Sequence, residues 1–213
     1  MKKGLFITFE GADGCGKSTQ ARYLKESLEQ KGLDVLLTRE PGGCPISEMI
    51  RDIVLDKNNK DILDITEAYL YASSRAQHVH EIIKPALEKG KTVICDRFVH
   101  SSIAYQGYGR QLGEKRVWEI NKHAVGECMP DITFFMKIDP ERAFKRMNEL
   151  KELDRIETQD SEFHERLFEG FIKISEDKNE NIVPVDVSGT KHETRKKILD
   201  IALPIFVKRG LLK

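Results

Sequence analysis

Five short apolar runs rich in β-branched and aromatic residues, separated by segments of helical periodicity, predict a doubly wound α/β fold with a five-stranded parallel sheet flanked by helices. The runs are Leu5–Phe9, Val35–Thr38, Thr92–Cys95, Ile132–Ile138 and Ile182–Val187. A Gly-rich turn directly after the first run, followed by Ala21, Leu24 and Leu28 at helical spacing, supplies the strand–turn–helix unit from which such folds are built. The 213 residues suffice for one substantial core, and nothing in them suggests a break, so 1–213 is read as a single domain.

The first helix is expected from Ser18 to about Gln30. Later starts are marked by capping-box spacing at Asp64…Glu67 and Thr190…Glu193, and by Asp139 ahead of Pro140 at a first helical position. Pro85 should kink or interrupt the helical pattern Ile65–Glu88, and Gly90 should close it. The stretch 148–160, NELKELDRIETQD, lacks an apolar face and reads as a short flexible lid.

Lys plus Arg number 35 and Asp plus Glu 35, so no general field draws the chain to nucleic acid or an anionic membrane, and neither partner is expected. No apolar run approaches the ~20 residues of a membrane span. Met1-Lys2-Lys3 leads into a strand ending at Glu10 rather than a signal-peptide core, and a cytoplasmic location is expected. Cys15, Cys44, Cys95 and Cys128 form no C-x-x-C pair and read as reduced thiols. Cys15, at a helix N-terminus, is expected to have a lowered pKa and to be open to alkylation when nucleotide is absent.

The chemistry is concentrated in loops after the strands, where open parallel sheets bind ligands. Gly11-Ala12-Asp13-Gly14-Cys15-Gly16-Lys17-Ser18, followed by Thr19, has the G-x-x-x-x-G-K-S spacing of a phosphate-binding P-loop. Gly11, Gly14 and Gly16 let backbone N–H groups converge on phosphate oxygens, Lys17 can bridge the β- and γ-phosphates, and Ser18 can reach Mg²⁺. Asp96 ends the third run, where a carboxylate holds Mg²⁺ directly or through water. Arg97 beside it can grip a second phosphate bidentately, a group that a plain ATPase, with water as nucleophile, does not need.

With these residues in view, the chain resembles the thymidylate kinases, P-loop enzymes that move the γ-phosphoryl of ATP onto dTMP. The resemblance rests on the P-loop, Thr38-Arg39-Glu40-Pro41-Gly42-Gly43, Ser74-Arg75, the block Asp96-Arg97-Phe98-Val99-His100-Ser101-Ser102-Ile103-Ala104-Tyr105-Gln106-Gly107, and Asp154-Arg155-Ile156-Glu157. It implies that Asp13 accepts a hydrogen bond from the acceptor sugar's 3′-hydroxyl, that Arg75 and Gln106 bond the thymine edge, and that Tyr71 stacks on the base. Arg39, Arg51 and Arg97 would serve the acceptor phosphate, while Ser102 and Tyr105 would lie over the sugar, with the Tyr105 ring excluding a 2′-hydroxyl. It further implies ATP as co-substrate, Mg²⁺ as cofactor, Arg146 at the adenine side and a homodimer joined through helices. One branch of the family has an arginine after the P-loop acid where this chain has Gly14, so the lid is expected to supply the transfer cation, with Arg155 the first choice and Lys151 a helper. Asn148 and Leu150 stand where some relatives carry further arginines.

The acceptor, a phosphate oxygen with a second pKa near 6, is already substantially dianionic at neutral pH. The reaction therefore asks for positioning and charge neutralisation rather than a strong base. Two rivals are another nucleotide or nucleoside kinase on the same scaffold and a nucleotide-switched binding protein. Against the switch, Asn121-Lys122-His123-Ala124 does not complete an N-K-x-D guanine signature, and Arg39, Arg75 and Arg97 call for a second anionic ligand.

Overall fold

Alternation along the first strand sets the layers. In β1 (Phe6–Glu10), Ile7 and Phe9, with Leu5 before them, enter one apolar cluster, while Phe6 enters another on the opposite face. The protein is described here by a computed structural model covering residues 4–139, 142–143, 154–177 and 181–213. β2 (Val35–Arg39), β3 (Thr92–Asp96), β4 (Ile132–Lys137) and β5 (Ile182–Asp186) complete a five-stranded sheet in the order β2-β3-β1-β4-β5, parallel throughout. Each strand falls on a run expected from sequence.

One face is covered by α1 (Lys17–Glu29), through Ala21, Leu24 and Leu28, and by the last helix, which adds Ile198, Ala202 and Phe206. The other is covered by Val79, Ile83, Ala86 and Leu87. Between these covering layers and the remaining helices, Tyr105, Val117, Phe135, Phe163 and Phe171 make a third cluster. It joins α6 (Glu114–Val125) and α7 (Ser161–Glu176) to the sheet.

Two helical irregularities have local causes. After α2 (Pro45–Leu55), the long helix begins as α3 (Asp64–His78), widens into a π-type turn at Val79–Ile83 and resumes as α4 (Lys84–Glu88). Pro85 has no N–H to give, and the widened turn upstream of it accommodates the missing rung without ending the helix. Gly90 then terminates it with φ 80°. A second π-type segment, Ile103–Gly109, follows the short α5 (Val99–Ser102) and carries Tyr105 and Gln106. Such bulges recur at functional sites because they turn side chains off the regular helical faces.

The two expected capping boxes diverge. Thr190 and Glu193 cap the last helix, α8 (Lys191–Lys208), reciprocally. At Asp64…Glu67 no box forms: α3 starts after Leu63 without a side-chain cap, and Glu67 is fully buried. Among the described residues, no helix is long and apolar enough to cross a membrane.

The strand order makes a crevice at the carboxyl ends of β1 and β3, where chain direction across the sheet reverses. Pairing of Phe9 with Asp96 sets the loop after β1 against the loop after β3, and Arg97 N donates to Phe9 O at 2.9 Å.

Candidate active site

The loop after β1 is shaped by close contact with the strand beside it. At Gly11, with φ 135°, an added Cβ would lie 2.8 Å from the Met136 carbonyl oxygen. Gly16, with φ 94°, turns the chain into α1. Lys17 is buried, and its Nζ donates to the carbonyls of Gly11 at 3.0 Å and Ala12 at 2.8 Å, with Asp13 at 3.8 Å. A phosphate entering the loop competes for this ammonium with acceptors already in place. Cys15 departs from expectation: it is 2% exposed, and burial pushes its thiol pKa up against the pull of Lys17. Desolvation outweighs the helix terminus, so the lowered pKa expected from sequence is corrected.

Asp13 and Arg97 join this loop to a second cleft. Arg97 Nη2 donates to Asp13 Oδ1 at 2.5 Å and to Tyr105 OH at 3.1 Å, while Nη1 donates to Gly11 O and Ser101 Oγ, both at 3.0 Å. Tyr105 OH in turn donates to Asp13 Oδ2 at 2.6 Å. Burial alone would raise the Asp13 pKa, but Arg97 and Lys17, with the hydrogen bonds from Tyr105 and Arg97, hold it well below the usual carboxylate range. Arg97 has φ 69°, a left-handed backbone that costs a non-glycine residue about 1–3 kcal/mol and persists where the surroundings over-determine it. The buried Glu10 does part of this. It accepts from the N–H groups of Phe98 at 2.8 Å and Ser101 at 3.2 Å and from Ser101 Oγ at 2.5 Å, and burial raises its pKa.

Of the residues expected at the acceptor, Asp13, Arg51, Tyr71, Arg75, Arg97, Ser102, Tyr105 and Gln106 line this one cleft, together with Glu40, Asp154, Ile156 and Glu157. Arg39 does not. It forms a two-pronged pair with Glu48, at 2.7 and 3.0 Å, and lines a neighbouring cleft with Ser18, Thr38 and Asp96. Hydrogen bonding from Arg39 draws the Glu48 pKa down to about 2. Arg51, for which an exposed helix position is the ordinary reading, reaches the cleft and donates to Pro41 O at 2.9 Å.

Arg75, buried on α3, is held on every side. Its Nε donates to Glu40 at 2.7 Å, Nη1 to Ser102 Oγ at 3.0 Å and to Asn121 Oδ1, and Nη2 to Phe98 O at 3.1 Å. These bonds commit four of the five guanidinium N–H groups, leaving one on Nη2 without a partner among the described residues. Glu40 also bonds His78 Nδ1 at 3.0 Å, and His78 Nε2 meets Thr38 Oγ1 at 2.7 Å. No motif in the sequence singles out His78. Its place at the end of α3, one turn from Arg75, was the available signal.

Arg155 is 6% exposed, with Nη2 donating to Glu67 Oε2 at 2.6 Å and Nε to Val54 O at 2.8 Å. A guanidinium so held anchors residues 154–159 to α2 and α3. Ile156, also in the expected lid, is buried in the third cluster, so this half of the segment does have an apolar anchor. Arg146, Lys151 and residues 148–153 lie outside the described residues.

The fit to a divalent cation can be tested on Asp96. Its Oδ1 is buried and has no hydrogen-bond partner among the described residues, and it shares a cleft with Ser18. No group of three or more His, Cys, Asp or Glu side chains suited to hold a metal occurs among the described residues. One carboxylate and one hydroxyl suit Mg²⁺, which keeps most of its waters and takes phosphate oxygens as its other ligands.

A family model described as Thymidylate kinase matches residues 9–198. The chain is similar to the thymidylate kinase of an Exiguobacterium species, with 43% identity over 210 residues covering 99% of each chain. It is also similar to that of a Thermoanaerobacter species, with 47% identity over 199 residues covering 93% of this chain and 97% of the relative. Among solved structures, thymidylate kinase from Ehrlichia chaffeensis superposes with a TM-score of 0.76 at 31% identity, covering 93% of this chain and 98% of the other.

Proposed function

The chain belongs to the thymidylate kinase family, and on that footing we propose that it transfers the γ-phosphoryl of ATP to dTMP, giving dTDP and ADP. The observation that carries the reading is the junction of two anion-receptive clefts at Asp13 and Arg97, 2.5 Å apart. ATP is taken by the loop Gly11, Ala12, Asp13, Gly14, Cys15, Gly16, Lys17, Ser18 and Thr19, with its phosphates against the N-terminus of α1. Arg146 serves the adenine side. The acceptor occupies the cleft of Arg75 and Gln106, with Tyr71 against the base and Ser102 and Tyr105 over the sugar.

Arg97 holds the acceptor phosphate and Arg51 supports it from across the cleft. Arg39 acts from the neighbouring side by releasing Glu48. Asp13 orients Arg97 and receives the 3′-hydroxyl. Lys17 leaves the Gly11 and Ala12 carbonyls to follow the migrating charge. Asp96 and Ser18 would hold Mg²⁺, which when bound neutralises charge on the β- and γ-phosphates. Catalysis is then mostly pre-placed charge: two mutually repelling anions are brought in line by Lys17 and Arg97, and Arg155 contributes by fixing the segment that borders the acceptor.

The protein acts in the cytoplasm and as a homodimer. Support for the dimer comes from α2, where Ile46, Met49 and Ile53 are 45–62% exposed on one stripe, and from the exposed Tyr69 of α3. The test of function is Mg·ATP-dependent ADP release with dTMP, dUMP, dCMP, AMP and GMP in parallel, each checked for its diphosphate. Turnover led by dTMP supports the reading. Preference for another monophosphate overturns the base pocket, and ADP release without a diphosphate overturns the transfer.

A further inference from the structure

Glu67 has no part in the reaction as described, yet it is wholly buried behind Gln106, which lines the acceptor cleft, and breaks the capping pattern its sequence position suggested. Four N–H donors converge on it. Oε1 accepts from Gln106 Nε2 at 2.9 Å and Arg110 Nε at 3.2 Å, while Oε2 accepts from Arg110 Nη2 at 3.0 Å and Arg155 Nη2 at 2.6 Å. A carboxylate has about four lone-pair sites, so Glu67 has none left for a ligand and acts through its neighbours.

A carboxylate can only accept. It therefore fixes which end of the Gln106 amide is which: the NH₂ end must face Glu67, and the oxygen end is what Gln106 offers to the cleft it lines. Arg75, with one free N–H, offers a donor from the same wall. The pair presents one acceptor and one donor, matching a base edge with an N–H beside a carbonyl. Thymine and uracil carry N3–H next to O4, whereas cytosine carries a bare N3 next to an amino group and is mismatched at both atoms.

We propose that Glu67 is a positioning residue for base selection: by locking the Gln106 amide it makes the cleft accept a pyrimidine with a ring N–H and reject one with a ring lone pair. The inference rests on the reading that Gln106 meets the base. Arg155 and Arg110 both hold the carboxylate in place, and Arg110 Nη1 also donates to Gln159 Oε1 at 2.6 Å. The bordering segment 154–159 thus hangs from the same group.

The test compares kcat/KM for dTMP, dUMP and dCMP in the wild type, Glu67→Gln and Gln106→Leu. A neutral amide at position 67 can accept or donate, so Gln106 is released to turn over. The wild type is expected to favour dTMP over dCMP by at least ~10³. In Glu67→Gln the dTMP/dCMP ratio should fall ~10-fold or more, while dTMP/dUMP, which compares two bases with the same N3–H, stays within about twofold. If Glu67→Gln does not fold, the charge-neutral double variant Glu67→Gln/Arg155→Gln takes its place. An unchanged dTMP/dCMP ratio, with Gln106→Leu lowering it, overturns the role of Glu67 alone, as does an equal loss in both ratios, which marks general loosening. A wild type with no preference, or Gln106→Leu without effect, overturns the base reading and the proposal with it.

Discussion

Asp13 Oδ1 accepts a 2.5 Å hydrogen bond from Arg97 Nη2, tying the phosphate-binding loop after β1 to the arginine after β3. Its other oxygen accepts from Tyr105, so the carboxylate organises both the Arg97 guanidinium and the Tyr105 ring. Asp13→Asn retains one acceptor but loses the charge and sets an NH₂ group against Arg97 or Tyr105. A charge-assisted bond of this kind is worth about 1.5–3 kcal/mol, so kcat/KM for dTMP should fall roughly 10- to 150-fold. Steady-state kinetics check this, and a loss under threefold would show that Arg97 is positioned without Asp13.

The same pair gives a pH prediction whose sign follows from linkage. The Asp13 pKa is depressed in the folded protein, chiefly by Arg97 and Lys17 working against burial, so the unfolded chain holds its proton more tightly. Its contribution to stability is complete above the unfolded value of about 3.9 and is lost as pH falls below it. Urea denaturation of wild type and Asp13→Asn between pH 3 and 7 should give a stability difference that is constant down to about pH 4 and narrows below. A difference that grew on acidification would contradict the assignment.

Arg155→Ala should act first on stability. The pair with Glu67 is nearly inaccessible, with side chains 7% and 0% exposed, and removing Arg155 leaves the buried carboxylate with Arg110 and Gln106 alone. Losing a charge-assisted hydrogen bond of this kind costs about 1.5–3 kcal/mol, which for a chain of this size lowers Tm by roughly 3–12 °C. Thermal unfolding checks it. A near-wild-type Tm with a collapsed kcat would instead return Arg155 to the transfer step.

What the sequence disclosed and what it hid follow from the range of the interactions. The strands were legible because a parallel sheet covered on both faces needs continuous apolar runs, and Ile7, Ile94 and Phe134 all sit in such runs. The P-loop was legible because its chemistry is local. Glu67 was misread because its spacing from Asp64 satisfies a local rule, while its partners lie 39 residues away at Gln106 and 88 away at Arg155. The anchoring of Arg155 was hidden for the same reason: the sequence shows its charge but not the buried carboxylate that the fold brings to it. Cys15 shows a local effect, the helix N-terminus, losing to a tertiary one, burial.

Gly43 and Gly32 offer a controlled comparison of backbone strain with steric displacement. Both have positive φ, 90° and 84°, so alanine at either incurs the left-handed penalty of about 1–2 kcal/mol. At Gly32 an added Cβ meets nothing within 4 Å, whereas at Gly43 it would lie 2.4 Å from His78 Nε2 and 2.7 Å from Thr38 Oγ1. His78 cannot yield freely, because it is fully buried and bonded to Glu40, which clamps Arg75. Gly43→Ala should therefore cost about 1–3 kcal/mol more than Gly32→Ala in urea denaturation. Since the displacement runs through His78 and Glu40 to Arg75, it should also raise the KM for dTMP severalfold and leave that for ATP near wild type. Equal stabilities for the two variants would mean that the His78 side yields without cost, and an unchanged dTMP KM would uncouple Glu40 from the hold on Arg75.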